Sequence, residues 1–359
     1  MSVRFIPDAL SAEAGAVEQL ASIPRLPPLH IDRPRLVRAL LDTDCRLRLI
    51  CAPAGFGKTV LMSECARLVP PGTRLVWLDL GGRACTVQAL YGQLSDALGE
   101  RTGKDDRSEN DMLALLRQVG QPLWIMLDDY PRDYSPELDA CIDMLLDMGP
   151  AQISWWVSSR RQPAWKLPRL LLQGHLLELE AEALAFTAEE LEQLLSVHRL
   201  TLSSETFQQL HHVMEGWPAG VCLMLLHADE QALRERLVAG TPLLRDYVQR
   251  EVMAGLSDEV RRAMLALARM PRFSAELCDH VLDGVGREIL DILKTLQLFI
   301  RQIDNCGEWF RLWQPLALML QRSTETAAPT QAHLRACQWF ASRGEMREAV
   351  EHALWAGQP

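Results

Sequence analysis

The chain has 359 residues, and the usual size of about 150 residues per domain predicts two to three domains. Apolar residues make up 48% and charged residues 23% of the chain, a globular composition that excludes a wholly disordered protein. The 37 Lys and Arg residues against 47 Asp and Glu residues give a formal net charge of −10. This charge argues against a broad surface for nucleic-acid phosphates within these residues.

Cysteine and histidine spacing gives no sign of a disulfide framework or a metal site. The nine cysteines include no C-x-x-C pair, and the nine histidines include no H-E-x-x-H. No apolar run reaches the roughly 18 to 20 residues of a membrane helix, and we expect no signal peptide ahead of the cysteines. We therefore predict reduced thiols, no bound metal outside a nucleotide site, no membrane partner and a cytoplasmic location.

The first half of the chain alternates short apolar runs with helical patterns. An Ala/Glu-rich lead covers residues 1–24, and Pro34 predicts the first turn of a helix that reaches about Leu41. Five short apolar runs follow, at residues 46–52, 75–78, 123–127, 153–157 and 176–179. Runs of this length between longer helices are typical of parallel strands with crossover helices. We predict an α/β domain over residues 25–185, a parallel sheet with helices on both faces.

The pattern changes to helices after Phe186. Thr187 and Glu190 have the spacing of a capping box, and periodic helices continue from there to about residue 299. Apolar runs at 299–303 and 309–312 then flank a short turn, which predicts a β-hairpin. A hairpin behind three helices is the outline of a winged helix. We predict a helical domain over 186–240, a winged-helix domain over 241–322 and a further helical region over 323–359.

The sharpest motif is a phosphate-binding loop, G-x-x-x-x-G-K-[ST], with Ala52 in place of its first glycine. Its glycines allow backbone N–H groups to face phosphates, Lys58 reaches the β and γ oxygens, and Thr59 offers a hydroxyl to Mg²⁺. An apolar run precedes the loop and a helix follows it, as the motif requires, although a chance Gly-Lys-Thr turn is the alternative. The predicted nucleotide-binding residues of this segment are Pro53, Ala54, Gly55, Phe56, Gly57, Lys58, Thr59 and Val60.

Charged residues follow two of the later apolar runs. Asp128 is predicted to hold Mg²⁺, and Asp129 to orient or deprotonate the attacking water, although two acids can also simply cap a strand end. Arg160 follows the next run, where it would sense the γ-phosphate unless it is only a solvated loop residue. Gly216-Trp217-Pro218 opens a later helix, and a packing role there is as plausible as a role in ligand binding.

These motifs, in this order, resemble the N-terminal ATPase half of large LuxR-family transcriptional regulators of the maltose-regulon-activator type, which belong to the STAND class of signal-transduction ATPases. The resemblance covers about residues 25–357. The segments that carry it are the phosphate-binding loop, residues 128–130, 159–160, 184–190, 216–220, 307–311 and 339–357.

The resemblance implies a nucleotide-binding domain, a helical domain and a winged helix, with residues 323–359 beginning a superhelical sensor domain. It implies a switch that is ADP-bound and monomeric at rest and that self-associates when ATP-bound. By motif, Lys58 and Thr59 would bind phosphate and Mg²⁺, Asp128 would serve the metal, Arg160 would be the phosphate sensor, and Pro218 would pack near the adenine. Inducer and DNA contacts are expected only through regions beyond residue 359.

Two positions depart from the family pattern. Relatives often carry Tyr-His-Pro-Leu after the hairpin, where this chain has Trp313-Gln314-Pro315-Leu316. The family His is expected to touch the ADP phosphate, and the neutral amide of Gln314 replaces it here. Gly81-Gly82 stands where many relatives carry acidic residues.

The prediction is an ATP/ADP-binding switch module of a transcriptional regulator, with slow Mg²⁺-dependent ATP hydrolysis in which Asp129 and Arg160 act as catalytic residues. Two other hypotheses remain open. One is a free-standing ATPase that does mechanical work, and the other is a hydrolysis-dead nucleotide-binding scaffold for oligomerisation.

Overall fold

The computed structural model describes residues 23–100, 108–322 and 327–357. They form two compact units, one made of residues up to Ala52 together with Gly57–Leu184, and one made of Pro53–Phe56 together with the residues from Ala185 onward. Nearly all of the predicted N-terminal lead, 1–24, lies outside the described residues. The predicted boundaries within the second unit stay predictions.

The first unit contains a five-stranded, wholly parallel sheet in the order β2-β3-β4-β1-β5. Its strands are β1 (Leu47–Cys51), β2 (Arg74–Asp79), β3 (Leu123–Tyr130), β4 (Ile153–Ser159) and β5 (Leu176–Leu179). All five coincide with predicted apolar runs. Every residue of β1 is buried, as expected for a strand between two neighbours with helices on both faces.

One helix of the first unit precedes the sheet, five lie in the connections between its strands, and one follows the last strand. They are α1 (Pro34–Asp42), α2 (Lys58–Ala66), α3 (Val87–Ala97), α4 (Glu109–Gln118), α5 (Pro136–Met148), α6 (Leu167–Leu172) and α7 (Ala181–Leu184). Pro34 occupies the first turn of α1, where its missing N–H removes no helical hydrogen bond. One contiguous apolar core joins strand residues such as Leu47, Ile125 and Trp155 to α3, α4, α5 and α6.

The second unit begins with helices. They are α8 (Ala188–Val197), α9 (Ser204–Met214), α10 (Pro218–Leu225), α11 (Glu230–Ala239) and α12 (Pro242–Tyr247), followed by a π-helical turn over Val248–Met253. The predicted capping box starts α8. The Glu190 N–H donates to Thr187 Oγ1 at 3.2 Å, and the Thr187 N–H donates to Glu190 Oε2 at 3.1 Å.

Three helices and a hairpin come next. The elements are α13 (Asp258–Leu267), α14 (Ala275–Val281), α15 (Gly286–Thr295), β6 (Ile300–Gln302) and β7 (Phe310–Leu312), with β6 and β7 antiparallel. Phe273 extends the hairpin through a bridge to Phe310. The predicted winged helix is therefore confirmed, and with it the predicted fold class. The remaining helices are α16 (Gln314–Gln321), α17 (Ala327–Ser342) and α18 (Met346–Trp355).

Two further sequence expectations concern membranes and thiols. Among the helices that the structure describes, none combines the length and the apolar character needed to cross a bilayer. All nine cysteines are free thiols.

Candidate functional site

The phosphate-binding loop connects β1 to α2. Gly57 precedes the first helical residue with φ +77°, a left-handed conformation that favours glycine. Lys58 opens the helix and is buried, with 7% of its surface exposed, and its Nζ donates to the Ala52 carbonyl at 2.7 Å. The first N–H groups of a helix have no acceptor within the helix. This end of α2 therefore favours an anion.

The charge on Lys58 depends on its anionic surroundings. Burial, followed by the positive charge of Arg160, lowers the pKa of Lys58 to about 8, and the carboxylates of Asp129 and Asp128 oppose this shift. A phosphate next to the amine would add a further negative charge and favour the protonated form. The loop therefore presents a buried cation whose charge a phosphate ligand would stabilise.

Asp128 lies beside the phosphate-binding loop. It is 4% exposed, and its Oδ1 accepts hydrogen bonds from Thr59 Oγ1 at 3.0 Å and from Ser158 Oγ at 2.6 Å. Burial raises the pKa of the Asp128 carboxyl, and the Ser158 and Thr59 hydroxyls counteract this rise. The predicted metal residues Thr59 and Asp128 are thus in direct contact.

This oxygen pair suits Mg²⁺. The ion prefers hard oxygen ligands and is usually held by one or two protein oxygens together with phosphates and water. Thr59 Oγ1 and Asp128 Oδ1 supply such a pair, 3.0 Å apart, at the start of α2. The residues present therefore fit a magnesium ion that accompanies a nucleotide.

Asp129 has an unusual backbone conformation. Its φ is +49°, which is uncommon for a residue other than glycine, and the register between β3 and β4 shifts between Leu127 and Tyr130. The sequence predicted a strand that ends before Asp128, whereas β3 continues through this irregularity to Tyr130. A hydrogen bond fixes the backbone at this irregularity, since the Asp129 N–H donates to Ser158 Oγ at 2.8 Å.

Two guanidinium groups hold the Asp129 carboxylate. Arg160 Nε lies 3.3 Å from Oδ1, and Arg132 Nη2 lies 3.4 Å from Oδ2. Gly82 makes room for this arrangement, since a Cβ there would meet Arg132 Nε at 2.6 Å and Asp129 Oδ2 at 2.9 Å. Gly82 is one of the positions that depart from the family pattern, and the absence of a side chain there lets Arg132 and Asp129 pack closely.

The tip of the phosphate-binding loop packs within the second unit. Trp217 Nε1 donates to the Ala54 carbonyl at 3.1 Å, and the Ala219 N–H donates to the Gly55 carbonyl at 2.9 Å. Gly55 has φ +79°, and a Cβ on it would lie 2.5 Å from Ala219 Cβ. The start of α10 therefore holds the loop tip through two backbone carbonyls.

An aromatic cluster surrounds the last residue of this tip. Phe56 is fully buried, with its ring 5.1 Å from the Trp313 ring and 6.0 Å from the Phe299 ring, centre to centre. The Trp217 ring lies 5.3 Å from the Phe299 ring in an edge-to-face arrangement. Such pairs add stability beyond their buried area.

The remaining predicted residues have well-defined places. Val60 is the third residue of α2, and Pro218 is the buried first residue of α10. Gln314 is the first residue of α16, where its N–H donates to Glu215 Oε2 at 3.1 Å. Arg311 also pairs with Glu215. Lys58, Thr59, Asp128, Asp129 and Arg160 are linked by contacts or close charges within the first unit, whereas Pro218 and Gln314 belong to the second.

Sequence reasoning missed several residues of this region. Ser158 binds both Asp128 and the Asp129 backbone, and its position one residue before the strand-end Ser-Arg pair was an available signal. The partners of Phe56, namely Trp313 and Phe299, lie more than 200 positions away along the chain. A local motif cannot indicate such contacts.

A parallel sheet with the Gly-Lys-Thr loop after its first strand and a buried acid on a nearby strand defines a P-loop NTPase domain. The Walker-type ATPase of Pyrococcus abyssi has a similar fold, with 14% sequence identity and a TM-score of 0.58 over 84% of this chain and 99% of that one. The chain therefore combines a P-loop ATPase fold with a winged helix.

Sequence comparison identifies the regulators that this chain resembles. Residues 249–332 match the family described as the MalT winged helix domain. The HTH-type transcriptional regulator MalT of Cronobacter sakazakii is 26% identical over 355 residues, which is 90% of this chain and 39% of that protein. The serine/threonine-protein kinase PknK of Mycobacterium tuberculosis is 28% identical over 342 residues, 88% of this chain and 31% of that protein.

The resemblance to regulators of the MalT type is thus confirmed, and it supports a nucleotide-binding regulatory module. The chain spans less than two-fifths of the length of these relatives.

Proposed function

We propose that this chain is an ATP/ADP-binding switch module of a transcriptional regulator, in which slow ATP hydrolysis resets a self-association driven by ATP. The observation that carries the proposal is the charge cluster at the start of α2, within the first unit. Buried Lys58 lies among the charges of Asp128, Asp129 and Arg160, and Thr59 Oγ1 lies 3.0 Å from Asp128 Oδ1. Arg160 Nε lies 3.3 Å from Asp129 Oδ1, and a γ-phosphate would compete for this guanidinium. ATP and ADP would therefore leave the cluster in different arrangements, as a nucleotide switch requires.

In the proposed mechanism, Lys58 binds the β and γ phosphates, and Thr59 with Asp128 would hold Mg²⁺. The ion, when bound, neutralises charge on the phosphate oxygens and helps the β–γ phosphoanhydride to break. Water attacks the γ-phosphorus, the bond to the β-phosphate oxygen breaks, and ADP and inorganic phosphate are released. Asp129 orients this water and accepts its proton.

The ion pairs of Asp129 account for a slow reaction. Arg160 occupies one oxygen of this carboxylate and Arg132 the other, so the attacking water has to compete with two guanidinium groups for a hydrogen bond to Asp129. We propose that the γ-phosphate attracts Arg160 away from Asp129 and so frees Oδ1. Arg160 then acts as the phosphate sensor, and Asp129 becomes a competent base only when ATP is present.

The identity of the nucleotide released from denatured, purified protein tests the resting state. We expect ADP from the wild-type chain, little nucleotide from Lys58→Ala, and a wild-type amount from Lys166→Ala, which removes an exposed lysine of the same unit. Equal retention by Lys58→Ala and the wild type would refute the assignment of the loop. Gln314→His restores the family residue, and we expect it to increase the fraction of molecules that carry ADP.

The rate of ATP turnover and the size of the particle in solution distinguish the proposed switch from the two alternative functions. We expect hydrolysis well below about 1 per second and a larger particle in size-exclusion chromatography with a non-hydrolysable ATP analogue than with ADP. Sustained turnover at or above that rate would favour a free-standing ATPase. Association that is the same with both nucleotides would favour a passive scaffold.

A further inference from the structure

Three metal-ligand side chains come together on the first unit, in a group that does not include Asp128. His30 and Asp32 precede α1, and Glu64 lies in α2, which packs against α1. One ligand atom from each residue lies within 4.8 Å of the ligand atoms of the other two. No spacing in the sequence indicates this group, since His30 and Glu64 are 34 positions apart and fit no metal-site motif.

Glu64 is the unusual member of this cluster. Only 7% of its surface is exposed, and among the residues that the structure describes neither Oε1 nor Oε2 accepts a hydrogen bond of ordinary length. Burial raises the pKa of Glu64 to about 6, although the charges of His30 and Arg33 and the Arg33 backbone N–H oppose the shift. Burying a carboxylate with so few hydrogen bonds is costly unless a cation or a proton compensates for it. The burial of Glu64 beside His30 and Asp32 therefore favours a bound cation.

The tautomer of His30 is fixed by its own hydrogen bond. Its Nδ1 lies 2.9 Å from the carbonyl oxygen of Pro27, and because a carbonyl only accepts, Nδ1 carries the proton. His30 Nε2 lies 3.5 Å from Asp32 Oδ1. Histidines that bind metals commonly donate their second N–H to a backbone carbonyl in this way, which orients the free nitrogen toward the ion.

We propose that His30, Asp32 and Glu64 bind a divalent transition-metal ion of the zinc class, with water in the remaining positions. One imidazole nitrogen with two carboxylate oxygens suits Zn²⁺ better than Mg²⁺ or Ca²⁺, which prefer ligand sets made only of oxygen. The Asp32 side chain is 93% exposed and gives the ion a route from solvent. The ion would link the segment before α1 to the helix that starts with Lys58.

A metal titration of the chelator-treated, nucleotide-free protein tests the site. We expect one equivalent of Zn²⁺ to bind in isothermal titration calorimetry, with affinity at least about 10-fold weaker in His30→Ala and in Glu64→Gln. His175→Ala removes an exposed histidine of the same unit and should bind like the wild type. Asp128→Asn should also keep this equivalent, which separates the site from the proposed magnesium site.

Co²⁺ identifies the ligands directly. We expect visible absorption bands of a nitrogen- and oxygen-ligated cobalt ion in the wild type and their loss in His30→Ala. An intense near-ultraviolet band from cobalt–thiolate bonding would instead place the ion on a cysteine such as the exposed Cys306 and would overturn the proposal.

A structural role for Glu64 alone gives a different pattern. If Glu64 has only a structural role, Glu64→Gln should change the unfolding midpoint but leave the Zn²⁺ affinity unaltered. In that case none of the variants should lose the one equivalent of bound Zn²⁺. Asp32→Asn keeps the test decisive even if Glu64→Gln does not fold, because Asp32 is exposed and its replacement removes a ligand without disturbing the core. Unchanged Zn²⁺ binding in both Asp32→Asn and His30→Ala, or no binding by the wild type, would refute the site.

Discussion

Gly55→Ala is the substitution that most directly tests how the phosphate-binding loop is held. The new Cβ would lie 2.5 Å from Ala219 Cβ, 2.8 Å from the Tyr247 hydroxyl oxygen and 2.9 Å from Trp217 Nε1. Real Cβ atoms do not approach so closely, so the loop tip or the start of α10 must move. Overpacking of this kind costs about 1–3 kcal/mol.

Backbone strain adds to this cost. The φ of Gly55 is +79°, and a residue with a Cβ pays roughly 1–2 kcal/mol in the left-handed region. We therefore expect a total loss of about 2–5 kcal/mol, measured by equilibrium urea unfolding followed by far-ultraviolet circular dichroism. The displaced tip should also reduce nucleotide retention.

Gly72→Ala separates the two contributions. Gly72 has φ +81°, yet a Cβ there would meet no atom within 4 Å. This control should lose only the strain energy, roughly 1–2 kcal/mol. A loss in Gly55→Ala no larger than that in Gly72→Ala would refute the packing of the tip against α10. Combining Gly55→Ala with Ala219→Gly removes the closest of the three contacts and should restore part of the stability.

Two further predictions concern buried polar pairs. Asp139→Ala should lower the free energy of unfolding in urea by about 3–5 kcal/mol, because it leaves the buried Arg161 guanidinium, 3.2 Å away, without its counter-charge. Asp147→Ala is the control at an exposed ion pair and should lower it by less than about 1 kcal/mol. Equal losses in the two variants would contradict the reasoning. His333 and His352 form a buried Nδ1···Nδ1 contact of 2.9 Å, and burial, then His352 and Arg269, lower the pKa of His333 to about 4. The imidazole of His333 in the unfolded chain binds a proton at about pH 6.5, whereas in the folded protein it binds one only near pH 4. The free energy of unfolding should therefore be unaffected by this group above about pH 6.5 and should fall by up to about 3 kcal/mol as the pH drops toward 4. Thermal unfolding at a series of pH values checks this, and His333→Gln should show a weaker dependence on pH.

Local signals predicted most of the fold. The five strands were visible because parallel strands buried on both faces form short apolar runs, and the cap of α8 was visible because Thr187 and Glu190 stand three positions apart. The hairpin of β6 and β7 was equally local, since its two apolar runs flank a short polar turn. Such features need only neighbouring residues.

The finer geometry of the site depends on distant residues. The left-handed backbone of Asp129 arises from a register shift between β3 and β4, which a single strand sequence does not encode. The sequence indicated that Arg160 follows a strand, but its pairing with Asp129 requires two strands to be aligned. Glu64 occupies an ordinary helical position in the sequence, and its burial close to His30 and Asp32 becomes visible only in the structure, where α1 packs against α2.

The aromatic cluster around Phe56 has a consequence for recombination among relatives. A crossover between Leu184 and Ala185 would divide the chain at the boundary between its two units. It would also take Phe56 from one parent and Trp217, Phe299 and Trp313, the other members of its aromatic cluster, from the other parent. Chimeras made there are expected to need a loop tip from the same parent as their C-terminal half. The four residues Pro53–Phe56 therefore have to match the part of the protein that they pack in, which begins more than 100 positions further along the chain.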